Sequence, residues 1–255
     1  MIVAEVGLNH QGRKAYSFKY LEQLILTDIT AVTYQIREKE FYENPPPLYK
    51  DLELNFGHYA NIKEHLGLWG KRFGIALADH DMIEQCEEIN VDFYKTLSWN
   101  INSFDFLDKL VNTGKKIFVS TGTSSTDKID KLQNRYRGEN ITLIHTQLQF
   151  EVENVNLLAI DFLRDRYDFP IAFGNHCENT DVLYTSVAFK PSDIFFYVKG
   201  DKRIEHIDEK HSVRLSKVND TVNSLMELSK SLGVPNKFDV EIEDKSLILN
   251  TKDKK

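Results

Sequence analysis

The feature that most constrains the fold is an alternation of strand-like and helix-like segments along most of the 255 residues. Eight runs rich in β-branched and aromatic residues predict buried strands at 2–6, 31–35, 72–77, 91–95, 116–120, 141–145, 170–174 and 193–198. The stretches between them place apolar residues three and four apart, which is typical of amphipathic helices, and several begin at a capping residue. Eight strands, each followed by a helix, in about 250 residues predict a single-domain (β/α)8 TIM barrel.

The alternative fold is a doubly wound open sheet, which usually has fewer strands and a glycine-rich fingerprint after the first one. We assign residues 1–232 to the TIM-barrel domain and residues 233–255 to a charged C-terminal tail, which is too short for a second domain. Residues 36–50 interrupt the repeat with three consecutive prolines. They predict an extended loop over one face, as a lid, an oligomer contact or a solvated connection.

Charge and hydropathy narrow the class of partner. The formal net charge is -7, and the basic residues are scattered, so neither a nucleic acid nor an anionic membrane is expected as a partner. No apolar run reaches the roughly 18 to 20 residues that span a bilayer, and Met1 leads directly into the first strand, which predicts a cytoplasmic protein. Cys86 and Cys177 cannot form a disulfide framework by themselves.

Polar residues collect where the predicted strands end, and in a TIM barrel the active site lies at that end. They are Glu5, Asn9, His10, Gln35, Asp79, His80, Lys95, Ser98, Ser120, Thr121, Thr123, His145, Gln147, Asn175, His176 and Lys199. Each has a structural alternative, since a strand end is solvated and a Ser or Asn there often caps the next helix. Lys95 ends an apolar run, where an ammonium group either binds a phosphate or forms a Schiff base.

Six segments occur in the order and spacing of a known family. They are "IVAEVGLNHQG", "AVTYQ", "VDFYKTLSWN", "IFVSTGTSS", "ITLIHTQLQF" and "IAFGNHC". Over residues 2–232 the sequence resembles the sialic acid synthases, the N-acetylneuraminate synthases and their relatives for other nonulosonic acids. The resemblance implies a (β/α)8 barrel that condenses phosphoenolpyruvate with an aminosugar aldehyde such as N-acetylmannosamine. It also implies a divalent metal, Mn or Mg, that orients the aldehyde.

The resemblance carries roles to individual positions. It implies that Lys95 binds phosphoenolpyruvate, with Ser98 and Ser120 as neighbouring hydroxyls, and that His176 is one of two metal-binding histidines. Together with the strand ends, it gives a predicted set of substrate-binding residues: Asn9, His10, Gln35, Ser98, Ser120, Thr121, His145 and Asp208. The predicted catalytic residues are Lys95, His176 and Lys199.

The sequence also departs from the family pattern. Thr33 replaces a lysine, Asn100 replaces an acidic residue, and Val198 stands where we align the second metal histidine, so a histidine pair cannot close on Mn or Mg. The family's C-terminal antifreeze-like domain, which covers the partner's barrel, is missing from this sequence. Lys199 comes one residue after the position of this missing histidine, and we hypothesise that its ammonium group supplies the positive charge that the metal ion would otherwise provide.

These departures keep three functions open. Each lost charged contact removes about 1.5 to 3 kcal/mol, so several losses together should abolish the family's reaction unless other groups replace them. The chain is then a condensing enzyme with an altered site, a Schiff-base aldolase or lyase that uses Lys95, or a non-catalytic member that binds a sugar or regulates a synthase. The expected partners are a sugar, phosphoenolpyruvate or a ketoacid, and a second copy or a full-length synthase.

Overall fold

The eight predicted strands form a closed parallel barrel. A computed structural model describes residues 1–45, 51–200 and 204–237. Its barrel strands are β1 Ile2–Gly7, β2 Ala31–Ile36, β3 Arg72–Leu77, β4 Phe93–Thr96, β5 Lys116–Ser120, β6 Ile141–His145, β7 Ile171–Asn175 and β8 Ile194–Lys199. Each strand pairs in parallel with the next, and β8 pairs with β1. The prediction of a (β/α)8 barrel is therefore confirmed.

Helices follow the strands and cover the outside of the barrel. They are α1 Lys14–Leu24, α2 Lys39–Glu43, α3 Phe56–Leu68, α4 Ile83–Glu88, α5 Phe104–Val111, α6 Thr126–Tyr136, α7 Ala159–Arg166, α8 Asp181–Ser186 and α9 Leu215–Ser231. A short strand, β9 Val213–Arg214, pairs with the end of β8. None of the helices in the described part of the chain combines the length and apolar character that crossing a bilayer requires.

The loop predicted at 36–50 is only partly an extended connection. Residues 39–43 form α2, because this stretch contains no proline and the helix ends before Pro45. Residues 46–50 lie outside the described ranges. The predicted tail begins just after α9, and of it only residues 233–237 are described.

Inward-facing apolar side chains fill the lower part of the barrel, and we call this group the apolar plug. It consists of Val3, Ala31, Phe93, Phe118, Ile144, Ala172 and Phe195. The Phe118 ring centroid lies 5.5 Å from that of Phe93 and 4.9 Å from that of Phe195. Gly74 leaves room for this packing, since a Cβ there would lie 2.2 Å from the Phe93 ring. The barrel is thus a packed core below its mouth.

Candidate active site

The next inward-facing positions above the apolar plug are mostly polar. Side chains alternate along a strand, so the residues two places beyond plug residues also face the barrel axis. These positions hold Glu5, Thr33, Lys95, Ser120, Thr146, Gly174 and Tyr197. The alternation of the strands therefore places charged and hydroxyl groups directly over an apolar floor.

These groups surround a small cavity at the carboxyl ends of the strands. Its volume is about 90 Å³. Its lining residues are Gln35, Lys95, Thr96, Leu97, Ser98, Trp99, Ser120, Leu148, His176 and Tyr197. The structure thus brings together five residues that the sequence predicts as site residues, namely Gln35, Lys95, Ser98, Ser120 and His176.

Lys95 is the charged group of the cavity lining. Its Nζ atom donates a hydrogen bond to the carboxylate of Glu5 in a buried ion pair. The same nitrogen lies 5.7 Å from the ring centroid of Phe195 and 5.6 Å from that of Tyr197, so aromatic faces also stabilise the cation. A lysine held in this way presents an ammonium group to the cavity, which suits the binding of an acidic ligand.

Two serines form the hydroxyl side of the cavity. The Oγ atoms of Ser98 and Ser120 lie 2.8 Å apart, and one donates to the other. Ser98 begins a single 3-10 turn, Ser98–Asn102, whereas Ser120 ends β5. Because they share one hydrogen bond, at least one hydroxyl proton remains for a bound ligand.

Two histidines stack at the wall of the cavity. The rings of His176 and His211 have centroids 4.8 Å apart and planes at 28°, and the Tyr197 ring meets both edge-on. Burial lowers the pKa of His176 well below its usual value, and the charges of His211 and Lys95 lower it further. Burial and the charge of Lys95 lower the pKa of His211 to about 4. Both rings are therefore neutral near pH 7.

Asp208 lies behind the cavity wall. Burial raises the pKa of its carboxyl group to about 7, and the charge of Glu5 adds to the effect while that of Lys95 opposes it. A Cβ on Gly7 would lie 3.2 Å from Asp208 Oδ2 and 2.9 Å from the Tyr197 ring. Gly7, at φ +55°, is thus required for the close approach of these two side chains to the end of β1.

Other predicted residues lie near the cavity but bind the chain itself. The Asn9 side chain donates to the Val198 carbonyl at 2.9 Å and accepts from the Asp208 N–H at 3.0 Å. His10 accepts from the Gly12 N–H at 3.0 Å, and burial lowers the pKa of its ring to about 3. The contacts of Asn9 hold the loop after β1 against β8 and the loop that follows it, whereas the contact of His10 lies within its own loop. Substrate contacts by Asn9 and His10 stay predictions.

The remaining three predicted residues also have partners away from the cavity. Thr121 Oγ1 donates to the Ile144 carbonyl at 2.9 Å, and His145 Nε2 donates to the Val155 carbonyl at 3.0 Å. Burial lowers the pKa of His145, so its ring is neutral in this contact. Lys199 Nζ donates to the carbonyl and to the carboxylate of Glu209, at 2.6 Å each. Lys199 therefore binds Glu209 and does not line the cavity that contains Lys95.

Sequence reasoning missed Thr96 and Leu97 of the cavity lining and four further residues of the site. Trp99 and Leu148 line the cavity mouth and are 50% and 42% exposed. Tyr197 was identifiable, because it lies two residues beyond Phe195 of the apolar plug and so faces inward. No motif marked His211, which reaches His176 from the loop before β9.

The residues around His176 do not fit a divalent metal. Val198, which we aligned with the second metal histidine, packs in the outer hydrophobic layer, and the residue of β8 whose ring meets His176 is Tyr197. His211 stacks on His176 rather than lying edge to edge with it, and the Nδ1 atom of His176 is engaged by Thr146 Oγ1 at 2.8 Å. Within residues 1–45, 51–200 and 204–237, the one group of three or more mutually close potential ligands is Asp79, His80 and Asp81, which lies outside the cavity lining.

Comparisons with known proteins agree with this architecture. The model of the NeuB family matches residues 14–237. An uncharacterised protein of Methanocaldococcus jannaschii is 26% identical over 97% of this chain and 78% of its own length. The N,N'-diacetyllegionaminic acid synthase of Campylobacter jejuni is 22% identical over 91% of this chain and 77% of its own.

Solved structures show the same fold. The N-acetylneuraminic acid synthetase of Leptospira borgpetersenii, crystallised with citrate, superposes with a TM-score of 0.86. It is 23% identical in sequence, and the superposition covers 99% of this chain and 91% of that one. With a family model that matches nearly the whole barrel, this chain belongs to the NeuB family, the family of the sialic acid synthases.

Proposed function

We propose that this chain is a carbohydrate-biosynthetic enzyme that condenses phosphoenolpyruvate with an aminosugar aldehyde in the Lys95 cavity. The observation that carries the proposal is the convergence of one ammonium group, two hydroxyl groups and a neutral imidazole on a single small cavity. The ammonium and hydroxyl groups are donors suited to the carboxylate and phosphate oxygens of a three-carbon acid. The Nδ1 atom of His176 shares a 2.8 Å hydrogen bond with Thr146 Oγ1, so the imidazole adds a donor at Nε2 when Nδ1 accepts from Thr146. Family membership supports the same class of chemistry.

The reaction forms one carbon–carbon bond and replaces the C2–O bond to phosphate with a C2–O bond to water. C3 of phosphoenolpyruvate attacks the aldehyde carbon, and the oxygen of a water molecule adds to C2. One proton of this water goes to the former aldehyde oxygen, and the other leaves with the inorganic phosphate as the C2–O bond to phosphate breaks and the keto group forms. The product is a 2-keto acid three carbons longer than the acceptor. Lys95, Ser98 and Ser120 would donate hydrogen bonds to the oxygen atoms on which negative charge develops. No step is assigned to a metal, because the described donors around His176 do not fit one.

The ion pair of Lys95 favours condensation over Schiff-base chemistry. Formation of a Schiff base requires an amine nitrogen that is free to attack a carbonyl carbon, whereas Lys95 Nζ is engaged by the buried Glu5 carboxylate. Because the Glu5 carboxylate offsets the charge of Lys95, the cavity carries less net positive charge than it would with an unpaired lysine. The hydroxyl groups and the His176 ring are therefore required to complete the binding of a multiply charged acid.

Calorimetric titration with phosphoenolpyruvate tests this proposal. We expect the wild type to bind it, Lys95→Ala to lose about a hundredfold in affinity, and Lys199→Ala to bind within about threefold of the wild type, since each charged contact is worth about 1.5 to 3 kcal/mol. A phosphate-release assay with a panel of aminosugars then identifies turnover. If the wild type binds no phosphoenolpyruvate, the proposal is wrong and the chain is a sugar-binding or synthase-regulating member.

Two further expectations stay proposals for this chain. One is a cytoplasmic location, and the other is a homodimer or a complex with a full-length synthase. Light scattering of the purified chain, alone and mixed with a synthase of the same organism, measures the second. A monomer in both samples would contradict it.

A further inference from the structure

The mouth of the cavity carries a half-exposed tryptophan. Trp99 follows Ser98 in the same 3-10 turn, so the turn places a hydroxyl inside the cavity and an indole at its entrance. Trp99 is 50% exposed, and the neighbouring Leu148 is 42% exposed. The indole therefore offers an exposed apolar face to a ligand that enters the cavity.

A guanidinium group is stacked against this indole. Arg37 directly follows β2, two residues after the cavity residue Gln35. Its Cζ atom lies 4.0 Å from the ring centroid of Phe41, in α2, and 5.1 Å from that of Trp99. Two aromatic faces therefore hold the guanidinium plane in one orientation at the entrance.

Arg37 retains donors for a ligand. Its Nε atom donates to Glu38 Oε2 at 2.8 Å, and this is the one hydrogen bond of its side chain to the residues that the structure describes. The Arg37 and Glu38 side chains are 20% and 27% exposed. A partly solvated ion pair of this kind is worth about 1 kcal/mol or less, so Glu38 orients the guanidinium group without preventing an anion from binding its terminal nitrogens.

The cavity is too small to hold both phosphoenolpyruvate and the acceptor sugar. Pockets for drug-sized ligands measure about 300 to 1,000 Å³, whereas the Lys95 cavity measures about 90 Å³. It has room for a small acid but not for a sugar in addition. If the chain performs the proposed condensation, the acceptor must lie with its aldehyde at the cavity and its remaining carbons outward, against Trp99.

We propose that Arg37, Phe41 and Trp99 form an acceptor subsite that selects a sugar with an anionic substituent. The indole face packs against the C–H groups of the sugar, and the two terminal nitrogens of Arg37 bind its phosphate or carboxylate group as a fork. This inference rests on the proposed function for the identity of the ligand, but the subsite itself is defined by Arg37, Phe41 and Trp99 alone.

Tryptophan fluorescence gives a direct test, because the chain contains two tryptophans, Trp69 and Trp99. Trp69 follows α3 and is 55% exposed, so Trp69→Phe leaves Trp99 as the reporter and Trp99→Phe provides the matched control. The ligands are N-acetylmannosamine, its 6-phosphate and the corresponding uronic acid, titrated without phosphoenolpyruvate.

We expect Trp69→Phe to respond to the 6-phosphate or the uronic acid with at least about tenfold higher affinity than to the neutral sugar, as one charge-assisted contact provides. Which of the two anions binds more tightly identifies the substituent. Arg37→Met should reduce the preference to less than about threefold, and Trp99→Phe should show no fluorescence response. Equal affinities for neutral and anionic sugars, or a preference that persists in Arg37→Met, would overturn the inference.

Calorimetry with phosphoenolpyruvate on the same variants separates this result from the proposed function. Arg37→Met should bind phosphoenolpyruvate as the wild type does, because the side chain lies outside the cavity lining. If phosphoenolpyruvate binds but the anionic sugars bind no more tightly than the neutral sugar, the proposed subsite is wrong and the proposed function stands. If an anionic sugar binds at Trp99 while phosphoenolpyruvate does not bind, the subsite stands and the condensation is wrong.

Discussion

The apolar plug and the polar layer above it lie on the same strands, two residues apart. Phe93 and Phe195 belong to the plug, whereas Lys95 and Tyr197 face the cavity. Close packing of aromatic rings stabilises the plug. The polar layer is held by the Glu5–Lys95 ion pair and by the hydrogen bond between Ser98 and Ser120. Along each strand, the residue that packs in the plug and the residue that faces the cavity are thus two positions apart. Substitutions in the plug should lower stability, whereas substitutions in the polar layer should lower ligand affinity.

The largest effect is expected for Lys95→Ala, which damages both properties. It leaves the Glu5 carboxylate buried without its lysine partner, so the free energy of unfolding should fall by about 3 to 5 kcal/mol, and the affinity for phosphoenolpyruvate should fall about a hundredfold. Urea denaturation and calorimetry measure the two effects. The double variant Glu5→Gln/Lys95→Met should recover most of the stability but not the binding, and a double variant that binds normally would refute the role of Lys95.

Phe118→Ala should damage stability alone. Phe118 contacts two other plug rings and is fully buried, so its truncation should cost about 3 to 5 kcal/mol. The folded fraction should still bind phosphoenolpyruvate with wild-type affinity, because the side chain lies below the cavity. Denaturation curves and calorimetry at low temperature provide the comparison, and a binding loss as large as that of Lys95→Ala would show that the two layers are not independent.

Asp208 should make stability depend on pH. Its folded pKa of about 7 exceeds the ordinary 3.8, so between these values the folded chain holds a proton that the unfolded chain has released. The free energy of unfolding should therefore fall relative to Asp208→Asn as the pH rises from 4 to 7, by at most about 1.4 kcal/mol per pH unit. Denaturation of both proteins across this range measures the difference, and parallel curves would contradict the shift.

Ser120→Ala should produce a smaller loss, confined to binding. It removes one hydroxyl from the pair with Ser98, which should weaken phosphoenolpyruvate binding about tenfold and change the free energy of unfolding by less than about 1.5 kcal/mol. Ser124→Ala serves as a control outside the cavity lining. Equal binding by the two variants would remove the hydroxyl pair from the proposed site.

The smallest effect is expected from metal removal. Because the described ligands around His176 do not converge on one ion, dialysis against EDTA should leave phosphoenolpyruvate affinity unchanged. Tyr197→His places a second imidazole on the β8 side of His176, and we expect this variant alone to acquire measurable Mn²⁺ binding by calorimetry. Stoichiometric Mn²⁺ binding by the wild type would contradict our account of the donor set.

The barrel was predictable from sequence because period-two and period-3.6 patterns recur eight times with little interruption. The failure lay at 36–50, where the three prolines obscured five residues that form α2. In the site, Lys95 and Ser120 were predictable because they end apolar strands and alternation turns them inward. Asn9 follows β1 and His145 ends β6, yet their side chains donate to the backbone carbonyls of Val198 and Val155.

Other features of the site depend on the packing of distant segments. His211 is adjacent to His176 only because β9 pairs with β8 and returns its loop to the mouth. Similarly, Trp99 forms its contact with Arg37 across two different loops. A single sequence contains no signal for such contacts, because each of these residues lies in a segment that looks like an ordinary turn.

The pairing of β1 with β8 has a consequence for the order of folding. Glu5 lies on the first strand and Tyr197 on the last, and their Cα atoms are direct neighbours in the closed sheet. Contacts this distant in the chain form slowly, because loop closure must precede them. During synthesis the first strand therefore lacks one neighbour until the ribosome has released the eighth, so the Lys95 cavity is assembled as one of the last events of folding.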